Sequence, residues 1–211
     1  MKKYFRYFLV MLVWCCTSYV VADVFVSFDI NYLKPTPIPI GYKFKKTGSD
    51  INVGGLLLQI SRDRPIFVHF YNPDCPCSRF NVYAFQRLEK KYRDKVCFVV
   101  VVVSNGDIDK LEHARHVFSN EIPVMADNKL AYECGVYSSP QAVLISTDRK
   151  LFFRGNYNTS RYCTNSTSFF PELAIKSYLK GDAQALFPDN AYVAYGCPIP
   201  VSRKISSCDG D

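Results

Sequence analysis

"FVHFYNPDCPC", residues 67–77, decides how this chain folds. It begins inside an apolar run, "PIFVHFY" (65–71), rich in β-branched and aromatic residues, which reads as a buried strand. Pro76 then stands where a helix can start, because proline is well tolerated at the first helical position. Phe80, Ala84, Phe85 and Leu88 recur at helical spacing, and the helix is expected to end near "EKKYRDK" (89–95). Two cysteines, Cys75 and Cys77, sit at this helix start with one proline between them.

Working outward, the C-terminal side repeats the pattern. "VCFVVVVVS" (96–104) reads as a central strand, since an unbroken apolar run suits a strand covered on both faces. "DIDKLEHARHVF" (107–118) reads as a helix, "IPVMA" (122–126) as a short strand, and "NKLAYEC" (128–134) as a short helix stopped by Gly135. "QAVLIS" (141–146) and "LFFRGNY" (151–157) form a hairpin around Thr147-Asp148-Arg149, and "SFFPELAIKSYLKG" (168–181) a last helix. Strand–helix–strand connections within one sheet imply parallel neighbours and right-handed crossovers, and the hairpin adds an antiparallel edge. On the N-terminal side, "INVGGLLLQISRDR" (51–64) carries a short helix.

The start of the chain sets the compartment. Lys2, Lys3 and Arg6 precede an uncharged stretch from Tyr7 to Ala22, so residues 1–22 form an export segment. Val20-Val21-Ala22 suits cleavage, but the apolar character extends toward residue 28, and about 20 apolar residues span a membrane. The reading favours a single-pass inner-membrane anchor over a cleaved signal peptide, with the basic end cytoplasmic. Residues 23–50, with "LKPTPIPIGYKFKKTGSD" (33–50), are expected to be an extended linker, 51–181 the folded domain, and 182–211 an irregular extension. The net charge is +7; without the first three cations 23 basic residues face 19 acidic ones, too mild an excess for a nucleic-acid partner. Of nine cysteines, Cys15 and Cys16 lie in the export segment. The remaining seven suggest disulfides in an exported chain, and an odd number leaves one thiol over or paired outside it.

Two landmarks carry a resemblance. "FVHFYNPDCPC" is a buried strand, an aromatic-rich turn and a cysteine at a helix start; "GVYSSPQAVLIS" (135–146) is similar to the GV-x-x-x-P of the thioredoxin-like superfamily. Over residues 52–180 the chain resembles bacterial envelope thiol–disulfide oxidoreductases and redoxins, with a CPC motif in place of CxxC. The resemblance implies an α/β thioredoxin-like fold, a central mixed sheet flanked by helices, with Pro140 in a cis bond facing the reactive cysteine. It also implies a periplasmic setting in the bacterial cell envelope. Aligned on Cys75, the family's second cysteine falls on Ser78, and its usual tryptophan is Asp74.

A thiolate is the nucleophile in disulfide exchange, and a helix N-terminus stabilises it. Cys75 is therefore the candidate attacking thiol, with Pro76 starting the helix and Arg79 adding positive charge one turn on. Cys77 is a candidate partner, although residues two apart on a helix point to nearly opposite sides. A Cys75–Cys77 bond then needs Cys75 outside the helix, and a distant resolving cysteine stays open. The Ser139 backbone beside Pro140 offers an edge where a substrate strand can pair. His69, six residues before Cys75, stands where the family often keeps a buried acid, and reads as either a general base or a hydrogen-bonded core residue. Cys97 and Cys134 read as buried small hydrophobes, and Cys163 and Cys197 as a structural disulfide tying down the tail. His113 and His116 lack partners at ligand spacing, so no metal and no other cofactor is expected.

The leading function is thiol–disulfide exchange with protein thiols and disulfides, fed by an upstream redox partner. A peroxiredoxin-like peroxidase is weakened by Asn72, which replaces the expected threonine or serine three residues before Cys75. A copper-binding assembly factor would use thiolates for Cu(I), and a redox-inactive binding module would show no exchange at all.

Overall fold

The computed structural model describes residues 2–54, 56–61, 63–159, 169–182 and 187–200. The chain divides into two compact units, the first ending at Pro35 and the second beginning at Thr36.

The first unit is helix α1, Lys2–Leu33. Its stretch Lys3–Ser27 has a mean hydropathy of 2.1 and is long and apolar enough to cross a membrane. The helix continues well into the segment expected to be a linker. The sequence "DVFVSFDINYL" (23–33) holds no proline or glycine to stop it, and the first breaker is Pro35.

The second unit is built on a five-stranded mixed sheet ordered β3-β2-β1-β5-β6. Strand β1 (Ile66–Tyr71) lies parallel to β2 (Cys97–Val102), and β2 parallel to β3 (Val124–Ala126). On its other side β1 pairs antiparallel with β5 (Gln141–Ile145), and β5 with β6 (Leu151–Gly155). Alternate side chains of β1 and β2 point to opposite faces. Phe67, Tyr71, Val100 and Val102 meet α3 (Pro76–Tyr92) and α6 (Phe170–Lys180) through Phe85, Leu88, Ala174 and Ile175. Val68, Phe70, Val99 and Val101 meet α2 (Leu56–Ile60) and α5 (Asn128–Glu133) through Leu57, Leu130 and Ala131. Both faces of the central strands are thus covered, which is why their sequences are uninterrupted apolar runs. Each such side chain contributes roughly 1.5–3 kcal/mol on leaving water.

Side-chain caps set two helix starts. Asp107 accepts the Lys110 N–H ahead of α4 (Ile108–Val117), and Asp127 accepts the Leu130 N–H ahead of α5. Gly135 ends α5 at a φ of 70°, where a side chain would also collide with Arg154. On α3 the inward face holds Cys77, Ser78, Asn81, Ala84, Phe85 and Leu88, whereas Phe80 is exposed. The expected helix is present, but turned so that Asn81, bonded to the Cys77 carbonyl, replaces Phe80 in the interior.

Part of the segment expected to be an extended linker and part of the tail expected to be irregular are integrated into this unit. Residues 36–50 pack against it instead of forming a spacer. Tyr42 donates to the Gly135 carbonyl at 2.7 Å, buried Arg154 donates to both Tyr42 and Gly135 at 2.8 Å, and Asp50 bridges to Lys150. Beyond α6, a 3-10 turn at Asp189–Ala191 leads to β7 (Cys197–Pro198), which pairs antiparallel with β4 (Ser138–Ser139). The Asn156 N–H bonds the Ala191 carbonyl at 2.8 Å and fixes the approach.

Candidate functional site

The turn after β1 is held by its own polar groups. Asn72 Oδ1 accepts the Asp74 N–H at 3.1 Å, and the Asn72 carbonyl accepts the Cys75 N–H at 3.0 Å. Cys75 is the N-cap of α3 in extended conformation (φ −87°, ψ 115°), Pro76 is the first helical residue, and the Cys75 carbonyl accepts the Arg79 N–H at 3.3 Å. The sulfur of Cys75 therefore lies outside the helix but at its positive end. Arg79 is exposed one turn on. Asp74, the residue just before Cys75, is paired with Lys110 at 2.5 Å.

Opposite stands the loop before β5. The Ser139–Pro140 bond is cis, and the Ser139 carbonyl oxygen is 3.4 Å from Cys75 Sγ. Ser138, Ser139 and Pro140 are all buried. The loop faces the cysteine.

Cys75 is bonded to Cys197, 122 residues away, with their Cα atoms 5.9 Å apart. This corrects two expectations. A sulfur forms one disulfide, so Cys75 is not paired with Cys77, and Cys197 is not paired with Cys163, which lies outside the described residues. The cause is geometric: Cys77 already belongs to the helix and turns into the interior, while β7 carries Cys197 alongside Ser139, directly over Cys75. Cys75 is wholly buried, and Cys197 is partly exposed.

His69 does not bond either sulfur. Its Nδ1 is 2.7 Å from the Tyr157 hydroxyl, its ring stacks on Phe85 at 4.8 Å, and Nε2 is buried with no hydrogen-bond partner. Burial lowers its pKa to about 3, so the ring is neutral at physiological pH. Cys97 and Cys134 are buried on the other face of the sheet, and burial, with Glu133 adding to it, pushes Cys134 up to about 12. Among the described residues there is no cluster of three or more metal-ligating side chains.

Sequence reasoning missed three contributors. Ser78 is fully buried and its hydroxyl accepts the Asn72 N–H at 3.3 Å. Thr36 reaches in from the presumed linker, bonding the Gly196 carbonyl at 3.0 Å and Ser138 Oγ at 2.9 Å. Gly196 itself had a readable signal, a glycine immediately before a cysteine.

The mixed five-stranded sheet ordered β3-β2-β1-β5-β6, flanked by helices, with Cys75 at the start of α3 and the cis Ser139–Pro140 bond opposite, is a thioredoxin-like fold. The chain belongs to the family described as a domain of unknown function, DUF6436, whose model matches residues 55–198 and so spans both Cys75 and Cys197. No curated protein matches it. Among solved structures, a hypothetical protein of Sinorhizobium meliloti is similar at 17% identity and a TM-score of 0.58, over 78% of this chain and 96% of that one. An uncharacterized conserved protein of Geobacillus kaustophilus aligns at 17% identity and 0.58, over 78% and 97%. The pneumococcal exposed lipoprotein thioredoxin Etrx1 of Streptococcus pneumoniae aligns at 18% and 0.45, over 59% and 89%.

Proposed function

We propose that this chain is a thiol–disulfide oxidoreductase of the bacterial cell envelope, held on the periplasmic side by α1, with Cys75 as nucleophile and Cys197 as its resolving partner. The observation that carries the reading is the Cys75–Cys197 bond at the start of α3, with the Ser139 carbonyl 3.4 Å from Cys75 Sγ. The apolar stretch Lys3–Ser27 supports the anchor.

In this reading the disulfide is the oxidised resting form. Two electrons and two protons from an upstream dithiol convert it to two thiols. The Cys75 thiolate, stabilised by the helix end, attacks one sulfur of a substrate protein disulfide and expels the other as thiolate. Cys197 then attacks Cys75 Sγ in the mixed disulfide, re-forms the internal bond and releases the reduced substrate. Run backwards, the same steps oxidise a substrate dithiol. Cys197 takes the resolving role that the sequence left between Cys77 and a distant cysteine. Pro76, Arg79 and the Ser139–Pro140 loop hold and polarise the nucleophile, and His69 packs in the core against Phe85 and Tyr157.

The test is a redox titration of the full-length protein in detergent against glutathione, with thiols trapped and mapped by mass spectrometry. One two-electron transition at Cys75 and Cys197 is expected, abolished by Cys197→Ser. Absence of any exchange at Cys75 overturns the reading and favours a binding module.

A further inference from the structure

The tail does more than bring a sulfur to Cys75. It fills the sheet edge beside the cis proline. Cys197 pairs with Ser139 and Pro198 with Ser138 in antiparallel register, and the Ile199 N–H extends the ladder to the Tyr137 carbonyl at 3.0 Å. Thr36 closes over it: its N–H bonds the Ala194 carbonyl at 2.8 Å, and its hydroxyl contacts both Gly196 and Ser138. Ile199 is buried against the layer that holds Leu130 and Val136. Gly196 has a φ of 146°, and a Cβ there would overlap the Ser139 carbonyl oxygen, so the tail lies as close to the edge as a backbone can. An incoming partner strand would need this same edge. Cys75, beneath the tail, is wholly buried, while Cys197 is partly exposed.

Resting on the oxidoreductase reading above, we propose that residues 194–200 form a redox-released strap. It covers Cys75 and the Ser138–Ser139 edge in the oxidised state, is opened by thiol attack on Cys197, and then yields the edge to an extended, cysteine-bearing stretch of a partner protein. The incoming thiolate of a reducing dithiol bonds Cys197 Sγ. The Cys75–Cys197 bond breaks, and its electron pair leaves on Cys75 Sγ as a thiolate at the helix end, a favoured leaving group. The second thiol of the reductant attacks its own mixed-disulfide sulfur. It departs as a disulfide and leaves Cys197 as a thiolate that takes up a proton. The strap then keeps neutral hydrogen bonds, a two-residue ladder and the buried side chains of Ala194 and Ile199; a ladder of that size is marginal by itself.

The test uses the full-length oxidised protein in detergent, treated briefly with limiting reduced glutathione and quenched with acid. Peptide mapping is expected to find glutathione on Cys197 in about tenfold excess over Cys75, because access selects the attacked sulfur. Hydrogen exchange at 137–139 and 194–200 should rise on full reduction with dithiothreitol. Gly196→Ala, which loosens the strap without touching either sulfur, should speed glutathione opening about tenfold. Glutathione found mainly on Cys75, or unchanged exchange at 137–139 after reduction, overturns the strap while leaving the oxidoreductase reading intact. No glutathione on either cysteine overturns that reading, and the strap with it.

Discussion

The Ser78 hydroxyl accepts the backbone N–H of Asn72 at 3.3 Å, tying the first turn of α3 to the end of β1. Three residues after Cys75, this chain keeps a turn-holding hydrogen bond. Ser78→Ala leaves a backbone donor without its partner beside a buried site, which costs about 1 kcal/mol. For a protein of this size that lowers the melting temperature by roughly 2–4 °C. Calorimetry of the oxidised protein checks it, and an unchanged midpoint would show the bond to be inert.

Glu172 clamps α6 to α3. Its carboxylate meets Lys91 at 2.6 Å, Lys176 at 3.1 Å and the Tyr92 hydroxyl at 3.1 Å. Burial pushes the carboxyl up, but the hydrogen bonds from Lys91, Lys176 and Tyr92 outweigh it and hold it at about 2. The folded value lies below the ordinary one, so the stabilisation is complete above pH ~4.5 and is lost as pH falls through about 2. With solvent around both lysines it amounts to roughly 1–3 kcal/mol. Denaturation of Glu172→Gln beside the parent chain should show a gap at pH 7 that narrows steadily below pH ~4.5.

His69 gives a different acid limb. Its folded pKa of about 3 lies below the ordinary 6.5, so the unfolded chain binds the extra proton between these values. Stability is complete above pH ~6.5 and declines as pH drops toward 3. The imidazole resonances of His69 should not titrate between pH 8 and pH ~5. In His69→Phe the decline between pH ~6.5 and ~4 should flatten. A ring that titrates near its ordinary value would refute the buried neutral state.

Cys134, held near 12 by burial, should resist iodoacetamide in the native protein at pH 8 and react fully once the chain is unfolded. Mass spectrometry of the labelled peptide reads both states. Rapid native labelling would mean that the layer around Leu130 and Val136 opens readily.

The thioredoxin-like core was legible because its signals are periodic and local. The apolar runs of β1 and β2, Pro76 at a helix start and Gly135 after α5 each declare an element over a few residues. The proline before β5 was legible through its neighbours. Cys197 was not, because a lone cysteine in an aperiodic tail carries no information about which of several sulfurs it meets. Ladder β4–β7 is two residues per strand, too short for any alternation to register. Thr36 and Arg154 escaped for a related reason. A single hydroxyl in a proline-rich stretch and a charged residue in an edge strand look solvent-facing until the partners that bury them are known.

The separation of Cys75 and Cys197 also sets an order of events during synthesis. Cys75 leaves the ribosome 122 residues ahead of its partner, and Cys77, Cys97, Cys134 and Cys163 all emerge in between. For most of synthesis Cys75 has only the wrong sulfurs within reach. Once β2 and α5 have packed, Cys97 and Cys134 are sealed on the far side of the sheet from α3. Sheet assembly thereby removes two competitors before the right partner arrives, and any bond Cys75 forms earlier must be undone before the tail can seat.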